Sequence, residues 1–326
     1  MKMIVMRPVI RAVVAGVAAL AVVTLAGCGN SAADDPAGSG DKLDVVASFY
    51  PLEFITRQVG GDAVQVTTLT APGVEPHDLE LTPKQVGHIA QAKLVVFEKD
   101  LQPAVDEAIG QNAQSTGFDV APAAKLEATG ADFEEHGAEA PAGTVKPAAY
   151  TEDALDPHFW LDPVRYADVV KAVTDKLVET DSAHADGYRE RSTALLADVT
   201  KLDNEFKSGL ANCKLKTFVT SHEAFAYLAK RYGLQMVGIA GFTPDAEPTP
   251  QRIREVQDIV REQKVSTIFY EELVSPKVAE SIARDVHVKT AVLSPIEGLS
   301  DANSKESYLS LMRENLQELR KAISCA

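Results

Sequence analysis

The strongest constraint on the fold is an alternation that occurs twice along the chain: short β-branched runs separated by segments with helical apolar spacing. In the first half the runs are Leu43–Phe49, Val64–Leu69, Leu94–Glu98 and Phe118–Ala121. In the second they are Lys216–Thr220, Gln235–Ile239, Ser266–Tyr270 and Val288–Leu293. Strands that alternate with helices pair in parallel through crossovers, so the pattern predicts an α/β protein of two lobes, each a parallel sheet of about four strands flanked by helices. Between the halves, Tyr188, Leu195, Leu196, Val199, Leu202, Phe206 and Leu210 keep a three-to-four spacing that predicts one long amphipathic helix. Leu309, Met312, Leu316, Leu319 and Ile323 repeat the spacing, so a packed helix ends the chain. Thr82-Pro83, Asp162-Pro163, Thr249-Pro250 and Ser275-Pro276 each set a capping side chain before a proline, which marks four helix starts. The expected division is a first lobe over 43–163, linking helices over 164–210 and a second lobe over 211–326.

Two segments stand outside this pattern. Pro122 to Pro157 is rich in Ala, Gly, Glu and Pro without a period, and reads as a mobile acidic loop, 122–157, on the first lobe. At the N-terminus, Lys2, Arg7 and Arg11 precede an uncharged, mostly apolar stretch from Ala12 to Gly27 that is short for a membrane span. Residues 1–27 therefore read as a signal peptide. Leu25-Ala26-Gly27-Cys28 resembles the lipobox of bacterial lipoproteins, which implies a diacylglyceryl group on Cys28 and a Gly- and Ser-rich tether over 28–42. The chain is then expected in the cell envelope, lipid-anchored on the outer face of the cytoplasmic membrane. With Cys28 modified, Cys213 and Cys325 remain as a pair in an oxidising compartment, and a disulfide between them is expected.

A formal net charge of −15 argues against nucleic acid as a partner and suits a soluble protein that meets cations. Of the seven histidines, three lie where a strand or helix pattern stops. His77 follows the second strand, His158 precedes the Asp162-Pro163 helix start, and His222 follows the strand ending at Thr220. In open α/β sheets ligands gather beyond the carboxyl ends of strands, where His77 and His222 should point. Separations of 81 and 64 residues match no compact zinc motif. The residues by themselves leave a metal site and an acid–base site in the cleft as alternatives. His88, His184 and His287 read as residues without a role, and His136 falls in the acidic loop.

Six segments resemble the solute-binding proteins of ABC-type zinc and manganese importers, in the family's order and over nearly the whole mature chain. They are Ser48–Leu52, Pro72–Pro83, Pro157–Pro163, Thr220–Phe225, Ile268–Glu272 and Leu293–Leu299. The resemblance implies two lobes joined by a rigid helix with the metal between them. It places the ligands on His77, His158 and His222, with Glu297 at the fourth position and Glu75 and Glu272 as alternatives there. Three imidazoles and one carboxylate suit Zn²⁺ better than Mn²⁺, which favours more oxygen. The loop before the second ligand departs from many zinc members in being acidic rather than rich in histidine. The implied partners are the membrane permease of an ABC importer and the bilayer that holds the anchor, and a monomer is expected. A zinc hydrolase using Glu75 or Glu223 as base is the enzyme alternative, disfavoured because a fourth protein ligand would fill the position that water needs. Surface adhesion is the other alternative.

Overall fold

The computed structural model describes residues 42–128, 155–302 and 304–326. In chain order the elements are β1 (Leu43–Ala47), α1 (Tyr50–Gly60), β2 (Val64–Thr68), α2 (Pro83–Gln91), β3 (Leu94–Phe97), α3 (Pro103–Asn112), β4 (Gly117–Asp119) and α4 (Ala121–Ala124). Then come α5 (Pro163–Thr180), α6 (Ala185–Leu210), β5 (Thr217–Thr220), α7 (Ala226–Tyr232), β6 (Gln235–Gly238), α8 (Pro250–Glu262), β7 (Thr267–Tyr270), α9 (Lys277–Val286), β8 (Lys289–Val292) and α10 (Tyr308–Ala322). All eight expected strands form, each within two residues of its expected bounds.

The strands make two parallel four-stranded sheets of the same topology, β2-β1-β3-β4 and β6-β5-β7-β8. The central strands are apolar on both faces, as strands covered by helices on two sides must be: β3, Leu-Val-Val-Phe, is buried throughout. In the first sheet Val45 pairs with Leu94 and with Val66, and in the second Val219 pairs with Ile268 and Val237. In each sheet the chain runs outward one way from the first strand and returns on its other side. The crevice at this change of direction is where ligands of α/β sheets gather.

Three of the four proline-marked helix starts form as expected. Thr82 caps α2 reciprocally with Gln85, Asp162 accepts from the Val164 N–H at the start of α5, and Thr249 accepts from the Arg252 N–H at the start of α8. The fourth differs. Pro276 already has helical angles but stands at the cap position, Ser275 makes no capping bond, and α9 begins at Lys277. The segment 122–157 is shorter as a loop than expected. Its first residues belong to α4, where Pro122 sits in the first turn, and Leu155 pairs with Ala128 in an isolated antiparallel bridge that closes the loop base. Residues 129–154 lie outside the described residues, as do the signal peptide, Cys28 and most of the tether.

Three apolar clusters form the core. One lies between the first sheet and α2 and α3, through Val46, Val95, Ile89 and Val105. Another lies between the second sheet and α8 and α9, through Val219, Ile268, Val256 and Ile282. The largest is continuous across both lobes, running from Val45 and Ile55 through Trp160, Tyr166 and Phe206 to Phe269 and Tyr308. Helix α6 is its spine, packed against α1 and α5 near one end and α7 and α10 near the other. Arg191 donates to the Val59 and Gly60 carbonyls at the end of α1 (2.7 and 2.9 Å), and Arg313 of α10 pairs with Glu205 of α6 at 2.7 Å. Two lobes that share a core along one helix bend stiffly.

Cys213, just after α6, is disulfide-bonded to Cys325, just after α10, across 112 residues of sequence. Closing a loop of that length removes denatured-state entropy worth up to about 4–5 kcal/mol. Reduction, or Cys213→Ser with Cys325→Ser, is therefore expected to lower the urea midpoint while leaving the slope of the transition nearly unchanged. Equal midpoints for the oxidised and reduced protein would show that the bond adds nothing to stability.

Candidate metal centre

The loop from β2 to α2 carries His77 and is fastened at several points. Gln85 Nε2 donates to the Leu69 carbonyl (2.7 Å), and buried Gln102 donates to Thr70 Oγ1 (2.9 Å) and to the Pro76 carbonyl (3.2 Å). His158 stands before a 3-10 turn, Phe159–Leu161, that leads into α5. His222 follows the end of β5, with its carbonyl accepting from Thr220 Oγ1 at 2.7 Å. Glu297 lies in the loop after β8. That loop meets the His77 loop where the Gly73 N–H donates to the Leu299 carbonyl at 2.7 Å.

From these four segments the fold brings together one ligand atom each of His77, His158, His222 and Glu297, all within 4.8 Å of one another. Glu297 Oε1 lies 3.6 Å from His77 Nε2, 3.3 Å from His158 Nε2 and 3.2 Å from His222 Nε2. The Nε2 atoms of His158 and His222 are 3.3 Å apart. Donors about 2.0–2.1 Å from a tetrahedral Zn²⁺ stand about 3.3 Å from each other, so these edges are close to those of a zinc tetrahedron. The edge to His77 is the longest. His77 is also the one member that is not fully buried, and it borders a cavity of about 900 Å³ lined further by Asp78, Lys99, Asp100 and Asp119.

Two carboxylates aim the buried rings. Asp156 Oδ1 accepts from the His158 backbone N–H at 2.9 Å and lies 2.8 Å from its Nδ1. Glu271 Oε1 lies 2.5 Å from His222 Nδ1 and also accepts from Ser221 Oγ. A carboxylate at Nδ1 keeps the ring proton there, which leaves the Nε2 lone pair directed at the centre and makes it a better donor. Burial disfavours charge on both rings, but their carboxylate partners outweigh it. His158 is raised above the usual imidazole range by Asp156 and Glu297, and His222 well above it by Glu271 and Glu297. Burial would likewise push Glu297 up, yet bonds from His158, His222 and His77 hold it well below the usual carboxylate range.

The two alternatives for the fourth position lie elsewhere. Glu75 accepts from the His77 backbone N–H at 2.8 Å, and burial together with the nearby Glu297 charge pushes its carboxyl up to about 9. Glu272 is exposed, and its charged neighbours are Glu306 and Glu314. Glu223, the other candidate base, is 3.8 Å from Arg252. Asp156 and Glu271 were not singled out in the sequence. Their signals were there: Asp156 stands two residues before a histidine, and Glu271 is the first residue after β7, the strand beside the one that leads to His222. The remaining described histidines are apart from the centre. His184 bonds Asp181 at 2.7 Å on the surface, His287 ends α9 in a left-handed cap, and half-buried His88 lies in the last turns of α2. His136 lies outside the described residues.

Comparison with known proteins gives the arrangement its context. Residues 45–322 match the family model for periplasmic zinc-uptake complex component A, ZnuA. The chain is 35% identical to the high-affinity zinc uptake system protein ZnuA of Bacillus subtilis, over 92% of this chain and 93% of that one. It is 32% identical to the zinc-binding lipoprotein AdcA of Streptococcus pneumoniae over 93% of this chain, but spans only 59% of AdcA's length. The crystal structure of the Zn(II)-bound ZnuA-like domain of AdcA superposes with a TM-score of 0.69 at 31% identity, covering 86% of this chain and 99% of that domain. The laminin-binding protein Lmb of Streptococcus agalactiae, described as bifunctional with adhesin and metal-transporting activity, superposes with a TM-score of 0.72 at 30% identity over 86% of this chain and 99% of its own. With a family model matched over almost the whole folded region, and the same fold in relatives about a third identical, the chain belongs to the ZnuA family of zinc-uptake solute-binding proteins.

Proposed function

We propose that His77, His158, His222 and Glu297 ligate a Zn²⁺ ion as cargo, and that the protein captures zinc outside the cytoplasm and passes it to the permease of an ABC importer. The observation that carries this reading is the set of edges of 3.2 to 3.6 Å from one Glu297 oxygen to three imidazole nitrogens. Three nitrogen donors and one oxygen favour zinc over manganese, whose preference is for oxygen and higher coordination. Four protein ligands complete a tetrahedron and leave no position for a reactive water, so the protein is a carrier and not a hydrolase. Family membership implies cooperation with an ABC permease and attachment to the membrane. Cys28 is the proposed site of the lipid anchor after removal of residues 1–27, and lobes over 43–163 and 211–326 flank the ion. The likeness to Lmb supports a second reading, adhesion at the cell surface, which leaves the metal centre as it is. A deletion strain whose growth defect is repaired by added zinc separates transport from adhesion.

The ligand set is tested by metal analysis of protein refolded from denaturant, followed by competitive titration with Zn²⁺ and Mn²⁺. Removing an orienting partner of a ligand costs roughly 10–100-fold in affinity, and that is the loss expected for Asp156→Asn and Glu271→Gln. His77→Ala, His158→Ala and His222→Ala should each exceed it while the far-ultraviolet spectrum stays native. Near-normal affinity in any two of the three would defeat the assignment.

The pH dependence follows from the raised imidazoles. Zinc binds the neutral rings, and a ring whose folded pKa is raised takes up its proton at a higher pH, so protons compete already at neutrality. Zinc affinity should fall between pH about 7 and about 5, more steeply than a single proton allows because more than one ring must be emptied. An affinity that is flat over this range would mean that imidazoles are not the ligands.

A further inference from the structure

The residue before Glu297 is Ile296, whose φ is +58°. In this left-handed region the Cβ crowds the backbone, and a β-branched side chain is a true outlier there. Such a conformation persists only where its surroundings enforce it. Here they do so residue by residue. Asn315 of α10 accepts from the Ser294 N–H at 2.9 Å and donates to the Ser294 carbonyl at 2.6 Å. Trp160 Nε1 donates to the Pro295 carbonyl at 2.7 Å. The Ile296 N–H donates to Ser294 Oγ at 3.2 Å, and its side chain is fully buried. Residues 294, 295 and 296 are thus each bonded before the chain reaches Glu297. Trp160 is fixed in turn, since the Tyr308 hydroxyl donates to its carbonyl at 2.6 Å and its ring packs 5.3 Å from that of His158.

We infer that Ile296 is a strained positioning residue, kept left-handed by a clamp of Trp160 and Asn315, and that the clamp aims the Glu297 carboxylate at the three imidazoles. The inference rests on Glu297 being the fourth ligand. Relaxation of Ile296 to negative φ rotates the following peptide and swings Glu297 away, while the three histidines stay on their own supports. Trp160 belongs to the His158 segment, two residues along. A movement that parts this segment from the Glu297 loop therefore breaks the Trp160–Pro295 bond, and the stored strain then favours withdrawal of the carboxylate. Zinc release begins at Glu297.

The test measures zinc dissociation into excess chelator for the full mature chain and the variants Trp160→Phe, Glu297→Ala and their combination. Glu297→Ala should speed dissociation. Trp160→Phe, which keeps an aromatic ring but loses the N–H donor, should speed it by on the order of tenfold, as expected for one buried hydrogen bond. The combination should be no faster than Glu297→Ala alone, because a residue that acts through Glu297 has nothing to act on once it is gone. Ile296→Gly in the Trp160→Phe background should recover slow dissociation, since glycine adopts φ +58° without strain, even though it removes a buried side chain. In Co²⁺-loaded protein, Trp160→Phe should shift the visible bands towards those of Glu297→Ala, which a general loss of stability would not do. If Glu297→Ala leaves dissociation unchanged, the ligand reading and this inference both fail. If it speeds dissociation while Trp160→Phe has no effect, or adds in full to it, only the inference fails, and Trp160 acts on packing or through His158. Should Trp160→Phe not fold, Asn315→Ala releases the clamp from the α10 side and is read in the same way.

Discussion

A carboxylate buried on all sides has to find positive charge, and the Glu297 carboxylate finds it at a point where three imidazoles converge. Neither of its oxygens meets solvent, and Oε1 faces three Nε2 atoms. Two arrangements can balance it: protons on the rings, or a divalent ion with the rings neutral. The same four residues therefore exchange protons for metal, and the raised imidazoles of His158 and His222 together with the depressed Glu297 describe the metal-free side of that exchange. An ion that enters restores balance without any need for water in the cleft. This is why a site built for cargo can be dry.

The matching topology of the two sheets explains where the supporting carboxylates come from. In each sheet the third strand lies beside the first, and an acid follows it directly, Glu98 after β3 and Glu271 after β7. Glu271 is spent on His222. Glu98 has no donor for either oxygen, and burial, with Asp156 as its nearest charged influence, raises it well above the carboxylate range. It is a neutral acid behind the charged Asp156 that serves His158. One position in the two sheets thus carries two different roles, decided by whether an imidazole is within reach.

Rigidity comes from the shared core rather than from either lobe alone. The largest apolar cluster runs through both sheets and along α6, and the Cys213–Cys325 bond ties the ends of α6 and α10 together. The aromatic group of Trp160, Tyr166 and Tyr308 lies in this cluster directly beneath the centre, and Tyr166 stacks on Tyr308 with ring centroids 4.0 Å apart. Movement is thereby confined to the loops that carry His77 and Glu297, which touch through Gly73 and Leu299.

Periodicity and punctuation in the sequence determined the elements: eight strands, the long helix and three of the four proline-marked helix starts, because alternation and capping are local and act within a few residues. The bend at Ser275-Pro276 and the short α4 inside the acidic segment were not legible, since both depend on one or two residues of context. For the centre, strand ends drew attention to His77 and His222, but separations of 81 and 64 residues carry no geometry, and only family resemblance joined them to His158 and Glu297. What the tertiary structure alone decided is which acid goes where. Glu75, Glu271, Glu272 and Glu297 all sit near strand ends or beside a histidine in sequence. Yet the first hydrogen-bonds a backbone N–H, the second aims His222, the third faces solvent and the last meets three rings. That sorting follows from strand order and from the left-handed turn at Ile296, which set direction in space, and direction is a property that a linear pattern of residue types does not contain.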